Sequence, residues 1–153
     1  MESNIVEKAY REAVEGIKEE WLDSLNPRWY EYIMGLPIKS KVTYMVVVLH
    51  DQVINGGFHQ YFCNAGYGQF ALKTISCLEE INALNKAKLL RQAYDTVNSS
   101  KISDELFIAD LINQRINNLF DGDDLYEPLG VLDEKFYDSS EEIEPLLIDF
   151  LKK

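Results

Sequence analysis

Apolar residues recur at helical spacing along most of this chain. In the first 25 residues they follow one another every four positions, which predicts an N-terminal amphipathic helix: Ile5, Ala9, Ala13, Ile17, Trp21 and Leu25. Gly16 weakens the middle of this helix and favours a bend there. Asn26 and Pro27 then begin a short aromatic-rich helix over residues 28–34, because Asn caps helices well and Pro is tolerated at the first helical position.

Residues 41–55 predict the buried centre of the fold. Their run of valines is also typical of a strand, but apolar side chains hold one helical face for about three turns: Val42, Val46, Leu49 and Val53. A helix that is apolar nearly all round belongs inside a bundle. We therefore predict a buried central helix that ends at Gly56–Gly57.

A second short helix is predicted directly after the glycine pair. Its aromatic and apolar residues stand at the spacing i, i+3, i+4 and i+7: Phe58, Tyr61, Phe62 and Ala65. Glycine lacks a Cβ and can adopt the left-handed conformation that ends a helix. The pair is therefore expected to let two helices meet at a sharp angle, with the aromatic side chains directed inward.

Three further helices are predicted over residues 69–82, 86–97 and 104–120, with Asn85 and Ser103 as N-caps of the last two. The third of these helices keeps an apolar side chain at every fourth position: Ile108, Ile112, Ile116 and Phe120.

Residues 121–138 are predicted to be the least regular stretch, because three helix breakers interrupt it: Gly122, Pro128 and Gly130. Ser139 and Glu142 form a capping-box pattern for a last helix over residues 140–152. Pro145 predicts a local kink in that helix.

The pattern as a whole predicts an all-α single domain, a compact bundle of about seven helices. We expect residues 1–25 to form its N-terminal helix and residues 26–153 its core and acidic C-terminal segment. The chain of 153 residues is long enough to bury roughly 68–70% of its unfolded surface. Its two cysteines predict neither a disulfide framework nor a metal knuckle.

The charge balance restricts the partners. The chain has 26 acidic and 15 basic residues and a net charge of −11. Nucleic acids and anionic membranes need Lys and Arg at the contact, so we expect neither to bind directly. A basic protein partner fits better.

With no apolar stretch long enough for a membrane span and no basic, apolar leader at its start, the chain is expected to be cytoplasmic. Nothing in the sequence predicts the oligomeric state.

The residues after the central helix resemble a known family. The segments Asn55-Gly56-Gly57-Phe58, Gln60-Tyr61-Phe62 and Asn64 are similar to the signature of the DNA mimic protein 19 C-terminal domain family. Leu132-Asp133 to Phe136-Tyr137, followed by a short terminal helix, resembles that family's ending. The resemblance begins near residue 25. The resemblance implies a bacterial protein with an all-helical fold. It also implies that an acidic surface of the protein binds a DNA-binding protein in place of DNA.

Two acidic groups are candidate binding residues. The first would form one stripe on the N-terminal helix and is also typical of an ordinary solvated face: Glu12, Glu15, Glu19 and Asp23. The second lies in residues 121–153, which hold 11 acidic and three basic residues: Asp121, Asp123, Asp124, Glu127, Asp133, Glu134, Asp138, Glu141, Glu142 and Glu144. Our hypothesis is that a basic partner, either a DNA-binding protein or a toxin, docks on these carboxylates.

The alternative function is a small-molecule or hydrolytic site at the bend formed by Gly56 and Gly57, which we call the glycine corner. Polar groups among aromatic residues are typical of binding pockets, and four residues are candidates: Asp51, Asn55, His59 and Tyr61. The motif's polar residues Asn55, Gln60 and Asn64 are instead interpreted as caps of helix ends and partners of backbone groups around the corner.

Metal sites are not predicted. The segment from Asp121 to Asp124 departs from the EF-hand pattern, because Leu125, Tyr126 and Leu132 stand where oxygen ligands or glycine are needed. His50, His59 and Cys63 fall short of the ligands that zinc requires. We therefore expect no cofactor.

Overall fold

The computed structural model describes residues 3–22, 26–64 and 66–153. The helices in this part of the chain are α1 Ser3–Val14, α2 Pro27–Met34, α3 Ile38–Cys63, α4 Ala71–Glu80, α5 Leu84–Val97, α6 Asp104–Ile112, α7 Asn117–Phe120, α8 Tyr126–Asp138 and α9 Ile143–Leu151. Short 3-10 turns lie at Glu19–Leu22 and Tyr67–Phe70. The prediction of an all-α domain is confirmed.

Helix α3 forms the centre of the bundle, as predicted. It packs against α1, α4, α8 and α9, and every residue from Val42 to Val46 is buried. Five consecutive buried positions cover more than one turn, so this part of the helix is enclosed on all sides. The fully buried Trp29 of α2 adds a polar link, since its indole Nε1 donates to the Tyr44 hydroxyl at 3.1 Å.

The predicted N-terminal helix is shorter in the structure. It ends at Val14 because the Tyr32 side chain of α2 occupies its C-terminus. The Tyr32 hydroxyl donates to the Ala13 carbonyl at 2.9 Å and accepts from the Gly16 amide at 3.2 Å. Asn26 caps α2 as predicted, accepting from the Arg28 amide at 3.0 Å. Residues 23–25 lie outside the described residues.

The predicted helix over residues 104–120 is broken in two. Ser103 caps α6 as expected, accepting from the Leu106 amide at 3.3 Å, but α6 ends at Ile112 and α7 begins at Asn117. The i+4 series at 108, 112, 116 and 120 is only half-buried, whereas Phe107 and Leu111 reach the core. The spacing therefore identified a neighbouring face, not the one that packs.

The prediction of an irregular stretch over residues 121–138 is wrong in its second half, where α8 is a regular helix. Pro128 is its third residue, and Pro145 is the third residue of α9. A proline in the first turn removes only an amide that has no helical partner. The predicted kink at Pro145 is therefore also wrong.

Two predicted helix caps are not formed. Asn85 lies within α5, which begins at Leu84. Ser139 and Glu142 do not cap α9. The Ser139 hydroxyl instead donates to Asn85 Oδ1 at 3.0 Å and accepts from the Glu141 amide at 3.2 Å.

No helix among the described residues combines the length and apolar character that crossing a bilayer would need.

Candidate acidic interaction surface

The glycine corner kinks α3 at Gly57, where φ is 78° and ψ is −179°. The positive φ confirms that a glycine permits the turn, although this ψ differs from the left-handed helical value. Phe58, Tyr61 and Phe62 are at most 1% exposed, so the aromatic side chains point inward as predicted. Ala65 lies outside the described residues.

The corner is held by α8, and this contact joins the two segments that resemble the family. Asp133 Oδ1 accepts from the Phe58 amide at 2.8 Å, and the Tyr137 hydroxyl donates to the Val53 carbonyl at 2.9 Å. The Phe136 ring meets Phe58 edge-on, with centroids 5.6 Å apart. We call this set of contacts the α3–α8 joint. Burial raises the pKa of the Asp133 carboxyl, and the Phe58 amide opposes that shift.

Two of the motif's polar side chains, Gln60 and Asn64, share one acceptor on the part of α3 before the kink. Gln52 Oε1 accepts from Gln60 Nε2 at 3.1 Å and from Asn64 Nδ2 at 3.0 Å. The side-chain amides of Gln60 and Asn64 therefore pair with a side chain, whereas backbone groups were expected as their partners. The acidic side of the molecule has a groove lined by residues on both sides of this block, from Val47 to Ile54 and from Phe136 to Asp149, but by none between 55 and 64.

Three of the four residues of the hydrolytic alternative have separate surroundings. Tyr61 is buried with its hydroxyl 3.4 Å from Thr74 Oγ1, His59 stacks on Tyr126 at 4.2 Å, and Asp51 lines a groove beside α1 and α9.

The neighbouring thiol does not supply a nucleophile at neutral pH. Cys63 Sγ is 3.5 Å from His59 Nδ1, but burial raises the pKa of the Cys63 thiol to about 11. The reactive species is the thiolate. Among the described residues, no three His, Cys, Asp or Glu side chains are grouped to hold a metal ion.

The first acidic group does not form the helical stripe expected for it. Glu12 lies on α1, Glu15 follows the end of that helix, and Glu19 begins the 3-10 turn. All three are exposed. Asp23 lies outside the described residues.

Most of the second acidic group is exposed: Asp121, Asp123, Asp124, Glu127, Glu134, Asp138, Glu142 and Glu144. Glu127, Glu134 and Asp138 share one exposed face of α8 with Val131, since they stand at spacings of three or four along that helix. Asp133 is an exception, because it is half-buried in the α3–α8 joint.

Glu141 is the other exception, because its carboxylate caps the start of α5, a helix that lies far from Glu141 along the chain. Its two oxygens accept from the amides of Asn85 at 3.0 Å and Lys86 at 2.8 Å. The first amides of a helix have no partner within the helix, and a negative charge there also meets the positive end of the helix dipole. Glu141 is thus a structural residue that holds the α8–α9 connection against α5.

A groove of about 900 Å³ collects the acidic side chains of four separate segments. It lies between α1, α3, the α8–α9 connection and α9, and six carboxylates line it: Glu7, Asp51, Glu141, Glu142, Glu144 and Asp149. All but Glu141 are exposed, and within the described chain these five make no hydrogen bond or ion pair. We call this feature the acidic groove. The sequence pattern indicates neither Glu7 nor Asp149 as a binding residue and suggests Asp51 only as a catalytic candidate, because nothing local in the sequence connects these positions.

Lys86 and His50 lie at the base of the acidic groove. Lys86 is only 4% exposed, and its Nζ donates to the carbonyls of Glu141 at 2.8 Å and Phe136 at 3.4 Å. Burial lowers the pKa of His50, which Asp51 partly opposes. The accessible groups of the groove are therefore predominantly negative.

The family comparison agrees with the resemblance in the corner and joint. A family model described as "DMP19-like protein" matches residues 34–153, which is more than half of the chain. The chain belongs to the DMP19-like protein family. The matched region contains the α3–α8 joint and the acidic groove except for the α1 residues Val6 and Glu7. No curated protein and no solved structure matches the chain significantly.

Proposed function

We propose that this protein is a non-enzymatic interaction domain that binds a basic protein, namely a DNA-binding protein for which its acidic surface takes the place of DNA. One observation carries the proposal: five exposed carboxylates from four separate segments converge on the acidic groove. Membership of the DMP19-like family and the net charge of −11 support it. Such clustering repels itself, so a partner that neutralises it gains binding energy.

The charge in the groove fits a local substitute for DNA. Duplex DNA carries about one charge per 1.7 Å of axis, so five carboxylates equal the charge on roughly 9 Å of duplex. That is enough to occupy a few phosphate-contacting Lys or Arg side chains. The exposed carboxylates of α8 extend the negative field for steering a partner toward this surface.

The test is competition between this protein and duplex DNA for a panel of purified DNA-binding repressors. We expect at least one repressor to bind either ligand but not both together, with an affinity that falls as NaCl is raised. Neutralising the groove with Asp51→Asn, Glu142→Gln and Glu144→Gln is expected to weaken binding about tenfold or more.

A charge-matched control is available in the loop before α8. The triple variant Asp121→Asn, Asp123→Asn and Asp124→Asn removes the same number of charges from exposed positions outside the groove. It should weaken binding much less. Equal losses in the two variants would contradict a role for the groove. Binding that DNA does not displace would instead indicate neutralisation of a basic protein.

A further inference from the structure

The acidic groove is lined by apolar side chains as well as by carboxylates. Four α3 residues stand at the spacing i, i+3, i+4 and i+7 and line the groove: Val47, His50, Asp51 and Ile54. This strip extends over about 10 Å, given the rise of 1.5 Å per helical residue. Ile54 is 53% exposed and Tyr137, at the α8 side of the groove, is 42% exposed.

Charge alone does not account for this arrangement. A purely electrostatic substitute for DNA would gain nothing from accessible apolar side chains between its carboxylates, whereas burial of such side chains contributes strongly to protein association. The apolar residues Val47 and Ile54 lie on α3, while Glu7 of α1 and Glu144 and Asp149 of α9 supply charge from the neighbouring helices. An occupant complementary to both features needs an apolar face with Lys or Arg beside it.

We propose that the groove receives an amphipathic basic helix of the protein partner. This inference rests on the proposed function and names the element that would be bound. An amphipathic helix inserts apolar side chains at i, i+3, i+4 and i+7 into a groove. Its flanking Lys and Arg side chains would meet the groove carboxylates, and their aliphatic stems would cover Ile54 and Tyr137.

Two synthetic peptides of equal composition test the proposal by fluorescence anisotropy. In one, Leu residues form a single helical face flanked by Lys and Arg; in the other, the same residues are scrambled so that no such face exists. We expect the amphipathic peptide to bind about tenfold more tightly, because only it places several apolar side chains together against Val47 and Ile54.

Ile54→Ser removes an exposed apolar side chain of the groove without changing the charge, and Val131→Ser is its matched control. Val131 is 52% exposed on α8 and does not line the groove. Ile54→Ser should reduce affinity for the amphipathic peptide about tenfold and leave the scrambled peptide unaffected. Val131→Ser should change neither. Circular dichroism verifies that both variants fold.

The outcomes separate this inference from the proposed function. If both peptides bind equally, if neither binds, or if Ile54→Ser has no effect, the amphipathic helix is excluded. The proposed function would still stand if the groove triple variant weakened repressor binding. If that variant had no effect on repressors, the proposed function itself would fail.

Discussion

At the scale of single residues, Gly57 is a position where the fold would tolerate a side chain poorly. Its φ of 78° lies where residues with a side chain are strained. A Cβ there would also collide with the Asp133 carboxylate. The residue therefore carries both the kink and the close approach of α8.

Gly57→Ala is expected to destabilise the protein by at least about 1–3 kcal/mol, the usual cost of a strained backbone position. Gly130→Ala in α8 is the control, since a Cβ there meets nothing within 4 Å. It should stabilise the protein by about 0.5–1 kcal/mol through helix propensity. Urea unfolding measures both changes. Equal effects of the two substitutions would contradict the account of the corner.

We predict opposite effects of substitution at two fully buried threonines, Thr43 and Thr74. Thr43 Oγ1 has no hydrogen-bond partner among the described residues, whereas Thr74 Oγ1 donates to the Phe70 carbonyl at 2.8 Å and lies 3.4 Å from the Tyr61 hydroxyl. Thr43→Val should therefore stabilise the protein by about 1 kcal/mol, and Thr74→Val should destabilise it by about 1–3 kcal/mol. Thermal and urea unfolding test the signs. A loss of stability in Thr43→Val would contradict the assignment of an unpaired hydroxyl.

At the scale of elements, the joint between α3 and α8 depends on the ionisation of Asp133. Its raised pKa means that the folded state holds the proton more tightly than the unfolded state. The contribution of Asp133 to stability is therefore full below its unfolded pKa of 3.8. It is lost as the pH rises through the higher folded value.

Asp133→Asn removes this titration and keeps an oxygen to accept from the Phe58 amide. We expect its free energy of unfolding, relative to wild type, to improve as the pH is raised from about 3.8 to neutrality. Asp133→Ala should lose about 1–3 kcal/mol at neutral pH, because the Phe58 amide is left unpaired. Urea titrations across this range test both. A difference between Asp133→Asn and wild type that does not change with pH would contradict the assigned role of the carboxyl.

Glu141 and Glu142 are adjacent carboxylates with different roles. Glu141 accepts two backbone amides at the start of α5, and Glu142 is exposed. Glu141→Ala should destabilise the protein by about 2–4 kcal/mol, since charge-assisted bonds to a helix N-terminus are lost. Glu142→Ala should stay within about 0.5 kcal/mol of wild type. Similar losses for the two variants in urea unfolding would mean that Glu141 does not cap α5.

At the scale of the whole molecule, the excess of negative charge opposes compaction. The net charge is −11, and the ion pairs Lys8–Glu12 and Arg115–Asp110 involve none of the groove carboxylates. Raising NaCl should therefore stabilise the free protein by about 1 kcal/mol, or about 2–4 °C in melting temperature for a domain of this size. The groove triple variant should show a smaller salt effect. A melting temperature that falls with salt would contradict net self-repulsion.

Much of the fold could be predicted from the sequence, because it depends on local chemistry. The helical period of α3, the cap at Asn26 and the glycine corner each involve residues close together in the chain. Residues 55–64 and 132–137 both resemble the same family, but the resemblance did not indicate that the two segments are in contact.

The extent of the helices and the position of the functional surface were decided by contacts between distant residues. The Tyr32 hydroxyl ends α1 from another helix, and Phe107 and Leu111 reach the core in place of the evenly spaced isoleucines. The acidic excess is a property of composition, but its arrangement is not. Packing placed Asp133 and Glu141 against backbone amides and gathered Glu7, Asp51 and Asp149 into one groove. The positions of these side chains are set when several helices bury their apolar faces against one another. They are therefore decided by the tertiary structure.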